Sequence, residues 1–279
     1  DSLFSMNLGK ELLSFAINRN LQCGKFKGHI LKTSVSANSV IKFKNSPDNI
    51  NLYADASYRD AKEEHFDHNL IEYYDQGAKS LSDFRNRYFD NMPNKGYHLT
   101  GKVTYTYPSG KWYTLFLSYK YERDYKSSHS FLYRLDQLDG WGEDSMEKLG
   151  SLPSMEAYQR MLDAPNSYHS RLYEDNHQLD PFLNWQVKGA KGIWSGQFRM
   201  PVSYKTRTLR YHRGEVDTTF TKRTILLSIY STYANWKSND KKKEFRISYD
   251  VNSKAPDMNM YLNIRDTTDP LNITLGNLN

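Results

Sequence analysis

Cysteine is almost absent from this 279-residue chain. Cys23 stands alone, which excludes a disulfide framework. Long apolar runs are missing too. A helical membrane span needs about 20 mostly apolar residues, and nothing here extends beyond stretches such as Ile225-Leu226-Leu227. Charge of one sign is not concentrated either. Lys+Arg 38 against Asp+Glu 32 leaves a net charge of +6, yet no basic block exceeds Lys241-Lys242-Lys243, so no nucleic-acid partner is expected. The first residues, Asp1-Ser2-Leu3-Phe4, carry no initiator Met, basic n-region or apolar h-region, and no signal peptide is expected. Catalytic motifs are lacking as well. There is no Gly-x-Ser-x-Gly elbow, and Gly189-Ala190-Lys191-Gly192 reads as a hairpin turn rather than a phosphate loop. The chain is not expected to be an enzyme, and no cofactor is implied.

Aromatic residues are abundant: 22 Tyr, 13 Phe and 5 Trp in a chain whose mean hydropathy is −0.80. They recur with period two. Tyr97, Leu99, Gly101, Val103, Tyr105 and Tyr107 alternate with His98, Thr100, Lys102, Thr104 and Thr106. After the turn signal Pro108-Ser109-Gly110-Lys111, the pattern resumes with Tyr113, Leu115, Leu117, Tyr119 and Tyr121, with Phe116 as the exception on the polar side. This predicts a long β-hairpin with one apolar-aromatic face. A second hairpin turns at Lys188 to Gly192. A third runs from Phe220 to Tyr233, turns at Lys237 to Asp240 and returns through Phe245, Ile247, Tyr249 and Val251, with Ile225, Leu227, Ile229 and Tyr233 on one face. Phe26 to Phe43 and Ile50 to Tyr74 read as two further strands around Asn45-Ser46-Pro47-Asp48. Short helices are expected at Lys10 to Asn18 and at Ser154 to Leu162, the second with Ser154 as N-cap.

The fold class is therefore all-β: an antiparallel up-and-down meander of long strands, about eight to ten in number. Several strands sustain alternation over roughly 11 residues, the length a tilted strand needs to cross a bilayer core. Short turns alternate with longer polar intervals, expected from Tyr125 to His177 and from Thr206 to Thr218, as in a transmembrane barrel. A soluble or surface-attached β-sandwich, binding glycans through its aromatics, is the alternative, and composition does not choose between them. The two differ in whether Leu99, Val103, Leu115, Leu117, Ile225, Leu227 and Ile229 meet lipid or a dry core.

Toward the end of the chain, Ser248-Tyr249-Asp250-Val251-Asn252-Ser253-Lys254-Ala255-Pro256-Asp257-Met258 is followed by Asp269-Pro270-Leu271-Asn272-Ile273-Thr274-Leu275-Gly276-Asn277. These segments resemble the barrel region of TonB-dependent receptors of the Bacteroidetes outer-membrane β-barrel family. The family usually continues Gly-Asn-Pro-x-Leu, whereas this chain reads Gly276-Asn277-Leu278-Asn279. The motif covers about 30 residues, and the hairpin pattern of the remainder agrees with it. Pro256 and Pro270 lack an N–H and interrupt strand pairing, so the chain is expected to leave the sheet here. The resemblance implies that residues 1–279 form a mid-barrel segment, without plug or closure, of a 22-stranded nutrient receptor. It also implies outer-membrane localisation. The implied partners are outer-membrane lipid, the remainder of the parent barrel and its plug, and an energy-coupling TonB complex.

Site candidates are few. Glu63-Glu64-His65-Phe66-Asp67-His68 is the densest group of metal-capable side chains, but on a strand His65 and His68 point to opposite faces. Trp141, between Gly140 and Gly142, could stack on a ligand ring. The surrounding Asp136, Asp139, Glu143, Asp144 and Glu147 read as a solvated loop rather than a catalytic pair.

Overall fold

The computed structural model describes residues 18–75, 78–109, 112–262, 265–266 and 274–275. Alternation of apolar and polar residues, with few prolines to break it, carries most of the chain into strands. These are β1 (Asn18–Lys42), β2 (Asn49–Asp75), β3 (Ala78–Pro108), β4 (Tyr113–Arg134), β5 (Tyr168–Lys188), β6 (Gly192–Arg199), β7 (Val202–Arg213), β8 (Val216–Leu227), β9 (Ile229–Ser238) and β10 (Glu244–Val251). All ten form one antiparallel sheet, and β11 (Arg265–Asp266) with β12 (Thr274–Leu275) makes a separate pair. At about 3.3 Å per residue, the 25 residues of β1 extend roughly 80 Å.

The branching of this sheet is only nominal. β5 pairs with β6 from Lys188↔Ile193 to Phe182↔Arg199, and with β7 from Leu179↔Val202 to Tyr168↔Arg213, in one unbroken register. β6 and β7 are thus a single strand interrupted at Met200-Pro201, where Pro201 has no N–H to give the ladder. β8 and β9 are likewise one strand, but with an extra residue between the pairs Leu227↔Val202 and Tyr233↔Gln197. Ser231 takes a positive φ of 47° in this bulge. Ten strands less two interruptions leave eight crossings in simple up-and-down order. Among the described residues the sheet is open, with β1 and β10 at its edges.

Several expectations are corrected. The interval from Thr206 to Thr218 is no long loop: β7 runs to Arg213 and a tight turn at Gly214-Glu215 starts β8, with Gly214 at φ 55°. The strand from Ala78 onward, the first half of β3, had no counterpart in the pattern, because polar and charged residues occupy both of its faces. Tyr233 does not share a face with Ile225 and Leu227, because the Ser231 bulge reverses the alternation between them. The helix expected at 10–18 lies outside the described residues, apart from Asn18, which opens β1. Asp269-Pro270-Leu271-Asn272-Ile273 and Gly276-Asn277 lie outside them too. The chain does leave the sheet after Val251. Ser253 there hydrogen-bonds back to the bulge, its N–H reaching Ser228 Oγ at 3.2 Å. Pro256 O then accepts from Arg207 Nη1 at 2.6 Å.

The core lies at one end of the sheet. The connection from β4 to β5 contains a short helix α1 (Met155–Gln159), which stops short of the expected Leu162 and whose Ser154 side chain makes no capping hydrogen bond, and it folds back over β2, β3 and β4. Phe66, Tyr88 and Leu135 are buried beneath it, packed with Tyr133, Leu138, Trp141, Leu149, Leu152 and Tyr158. Lys27 Nζ of β1 donates to Gly150 O at 2.7 Å and ties the connection to the sheet edge. On the opposite face Met258 and Leu262 cover Leu209 and Tyr211. Leu135 is fully buried, so Leu135→Ala is expected to cost about 2–5 kcal/mol and to loosen the connection. Hydrogen exchange should then lose protection at Leu138 to Tyr158 while the middle of β4 keeps its own; an unchanged connection would refute this packing.

Candidate functional site

Away from this end, the sheet has two faces of opposite chemistry and neither is covered by a second layer among the described residues. Cross-strand partners share a face, so the ladder assigns each side chain. One face carries Leu52, Val103, Leu117, Leu179, Phe198, Val202 and Ile225, with counterparts on the remaining strands. These side chains stay open to the surroundings: Ile225 is 72%, Val35 69% and Ile247 61% exposed.

The apolar band has sharp limits. On β3 it spans Tyr97 to Tyr107, on β5 Leu179 to Val187, and on β6–β7 Trp194 to Tyr204. Aromatics frame both borders. At the end that carries the turns at Lys188 to Gly192 and Lys237 to Asp240, Trp194 lies 6.4 Å from Trp236, and Trp185 lies across Gly196. A Cβ on Gly196 would meet Trp185 Cζ2 at 2.6 Å and Tyr233 O at 2.4 Å, so glycine there lets the indole lie flat on the neighbouring strand. At the other border Tyr97, Tyr125 and Tyr173 form a cross-strand row with ring centroids 5.5 and 4.9 Å apart. Charge stands on both sides of this tyrosine row: Arg123 with Asp175 at 3.9 Å one row inside it, level with Leu99, and Asp60 with Lys95 at 3.5 Å beyond it.

The reverse face is polar and internally bonded. His98 Nδ1 meets Asp124 Oδ1 at 2.8 Å, and Thr104 meets Ser118 at 2.9 Å. Glu122 accepts from Lys120 at 2.9 Å and from Asn176 at 2.7 Å, and Arg199 Nε donates to Asp180 at 2.9 Å. Phe116, the exception in the pattern, stacks on Phe182 of the next strand at 5.3 Å on this same face. Such a surface can solvate a polar solute and needs no apolar cover.

His65 and His68 do point apart, as their spacing requires. His65 stacks between Phe26 at 4.1 Å and Phe89 at 5.3 Å. His68 Nδ1 lies 3.2 Å from Met146 Sδ of the β4–β5 connection. Among the described residues no group of three His, Cys, Asp or Glu side chains is placed to hold a metal ion. Trp141 belongs to the packed connection: its carbonyl accepts from Asn86 at 3.3 Å and Lys148 Nζ stands 5.3 Å from its ring. Of the acidic residues around it, Asp136 is held by Arg134 at 2.7 Å and Glu143 by Ser82 at 2.9 Å. Sequence reading missed a cross-strand row formed by His129, His169 and His212. These residues are about 40 positions apart, and only the ladder joins them.

No protein-family model, curated protein or solved structure matches the chain. What it can do must be read from its own surfaces.

His65, His68, His129 and His169 are all held below the ordinary imidazole value of 6.5, chiefly because burial disfavours the charged form. Arg171, His129 and His212 lower His169 further. The unfolded chain therefore takes up protons first as pH falls. Their contribution to stability is full above the unfolded value of 6.5 and is lost as pH drops through it toward the lowered folded values. Thermal unfolding followed from about pH 7.5 to about 5.5 should show a falling midpoint, with a shallower slope in His65→Gln and His169→Gln; equal slopes in all three proteins would contradict the assignment.

A second expectation concerns the buried pair on the polar face. Arg87 Nε donates to Asp67 at 3.0 Å, and Gln22 Nε2 donates to the same carboxylate at 3.3 Å. Asp67→Ala leaves a buried guanidinium without that carboxylate and should cost about 3–5 kcal/mol in denaturant unfolding.

Proposed function

We propose that this chain is a segment of an outer-membrane β-barrel receptor of the TonB-dependent kind, crossing the lipid with its apolar face outward and its polar face toward a wet lumen. The observation that carries this reading is the uncovered apolar band. A tilted strand needs about 9–11 residues to cross a bilayer core, and β3, β5 and β6–β7 each hold their apolar alternation over about that length. Tyrosine and tryptophan stand at the borders of the band as interfacial girdles do, and charge enters at the same margin, from the row of Arg123 and Asp175 outward. A soluble sandwich would need a second layer over Leu99, Val103, Leu115 and Leu117; among the described residues none lies there. The family resemblance of Ser248–Met258 and Asp269–Asn277 supports the receptor type and nutrient uptake as its task.

Eight crossings are few for a receptor of 22 strands. In this reading the edges of β1 and β10 continue into further strands of the parent barrel. A plug and an energy-coupling TonB complex would complete the transporter, and the chain itself performs no catalysis.

Residue environments test the proposal directly. With Cys23→Ala as background, a polarity-sensitive fluorophore at Leu117→Cys should report a hydrocarbon environment in phosphatidylcholine vesicles, and at Lys120→Cys an aqueous one. A chain that stays soluble and monodisperse without detergent or lipid, with both probes insensitive to vesicles, would sink the membrane reading and favour the sandwich.

A further inference from the structure

At the margin of the apolar band, from the row level with Leu99 outward, the same outward face carries a cluster of arginines that the barrel reading alone does not account for. On β4 to β8 the ladder aligns three successive rows of this face. The first holds Arg123, Asp175, Thr206 and Arg223; the second Tyr125, Tyr173, Thr208 and Thr221; the third contains the directly opposed pair Arg171 and Arg210. All four guanidinium-bearing residues are exposed. Arg123 is matched by Asp175 at 3.9 Å. Arg210 lies over the Tyr173 ring at 5.8 Å. Arg171 and Arg223 make no ion pair among the described residues. Between the arginines lies a floor of hydroxyls, with Thr208 Oγ1 and Thr221 Oγ1 2.9 Å apart.

We propose that this patch binds phosphate groups of lipid headgroups in the leaflet on the long-connection side. The proposal rests on the membrane reading above. The first and third rows are about 13 Å apart along the strand, which with strand tilt matches the depth of a headgroup layer. Arginine presents a planar fork of donors that meets phosphate bidentately, whereas lysine acts as a point charge. The two borders of the band differ in this respect: the border away from the β4–β5 connection carries lysines, at Lys188, Lys191, Lys237 and Lys241 to Lys243. Arg171, Arg210 and Arg223 thus supply the charge, the threonine hydroxyls supply further donors, and Tyr173 fixes one guanidinium by stacking.

The test uses the full chain inserted in phosphatidylcholine vesicles and in vesicles of equal parts phosphatidylcholine and phosphatidate. Electron paramagnetic resonance of spin-labelled lipids measures the preference of the protein's lipid shell for phosphatidate. A several-fold preference is expected, falling with added salt. It should disappear in R171Q/R210Q/R223Q and persist in part in R171K/R210K/R223K, which keeps the charge. A preference that survives the glutamine triple variant but vanishes in K241Q/K242Q/K243Q would overturn the proposal and assign the effect to the other border. No preference at all would overturn it equally. Insertion of wild type and variants alike into pure phosphatidylcholine isolates the arginine patch from the membrane reading; failure to insert in either vesicle is failure of that reading instead.

Discussion

The alternation of side chains across a strand is the constraint on which the rest of this structure depends. Successive residues must point to opposite faces, and ladder partners must share one. Once β2 to β5 pair in register, every apolar residue of one strand is added to the same side as those of its neighbours. Chains of local alternation thereby sum to one continuous apolar surface and one continuous polar surface. A slip of one residue would interchange them.

The same constraint explains why the irregular points matter. Pro201 interrupts the ladder without changing its register, so Val202 and Phe198 remain on the same face. The bulge around Ser231 inserts a residue, so that Trp236 and Ala234 return to the apolar face while Tyr233 turns to the polar one. The irregularity between Met92 and Lys95 acts in the same way on β3. Beyond it Tyr88 joins Phe66 under the β4–β5 connection, although Tyr97 and Tyr88 differ in parity.

Two kinds of cover follow from this arrangement. At the end with the long connection, folded chain buries part of the sheet, with aromatic packing around Phe66 and Tyr88 on one face and Met258 on the other. Along the middle there is no such layer among the described residues, and on the proposed reading lipid takes that role. The boundary between the two regions is where charge enters: Arg123, Arg171, Arg210 and Arg223 stand on the apolar side but at its margin. Histidines 129, 169 and 212 lie one row further out.

What the sequence by itself determined is the local grammar. Tyr97 to Tyr121 declares a two-faced hairpin because period two is imposed by covalent geometry within a few residues, and the turns at Lys188 to Gly192 and Lys237 to Asp240 are set by nearby glycine, serine and asparagine. Tertiary structure alone decided which hairpins adjoin, how far their strands run, and what meets across the ladder. The first half of β3 carries polar residues on both faces and becomes a strand only because β2 and β4 supply its partners. His65, His68 and Trp141 were visible as residue types, but their packing against Phe26, Met146 and the β4–β5 connection was not. The arginine patch and the histidine row join residues some 40 positions apart, and no local pattern encodes that proximity, because it arises from the register of strands that each satisfy their own backbone through a neighbour.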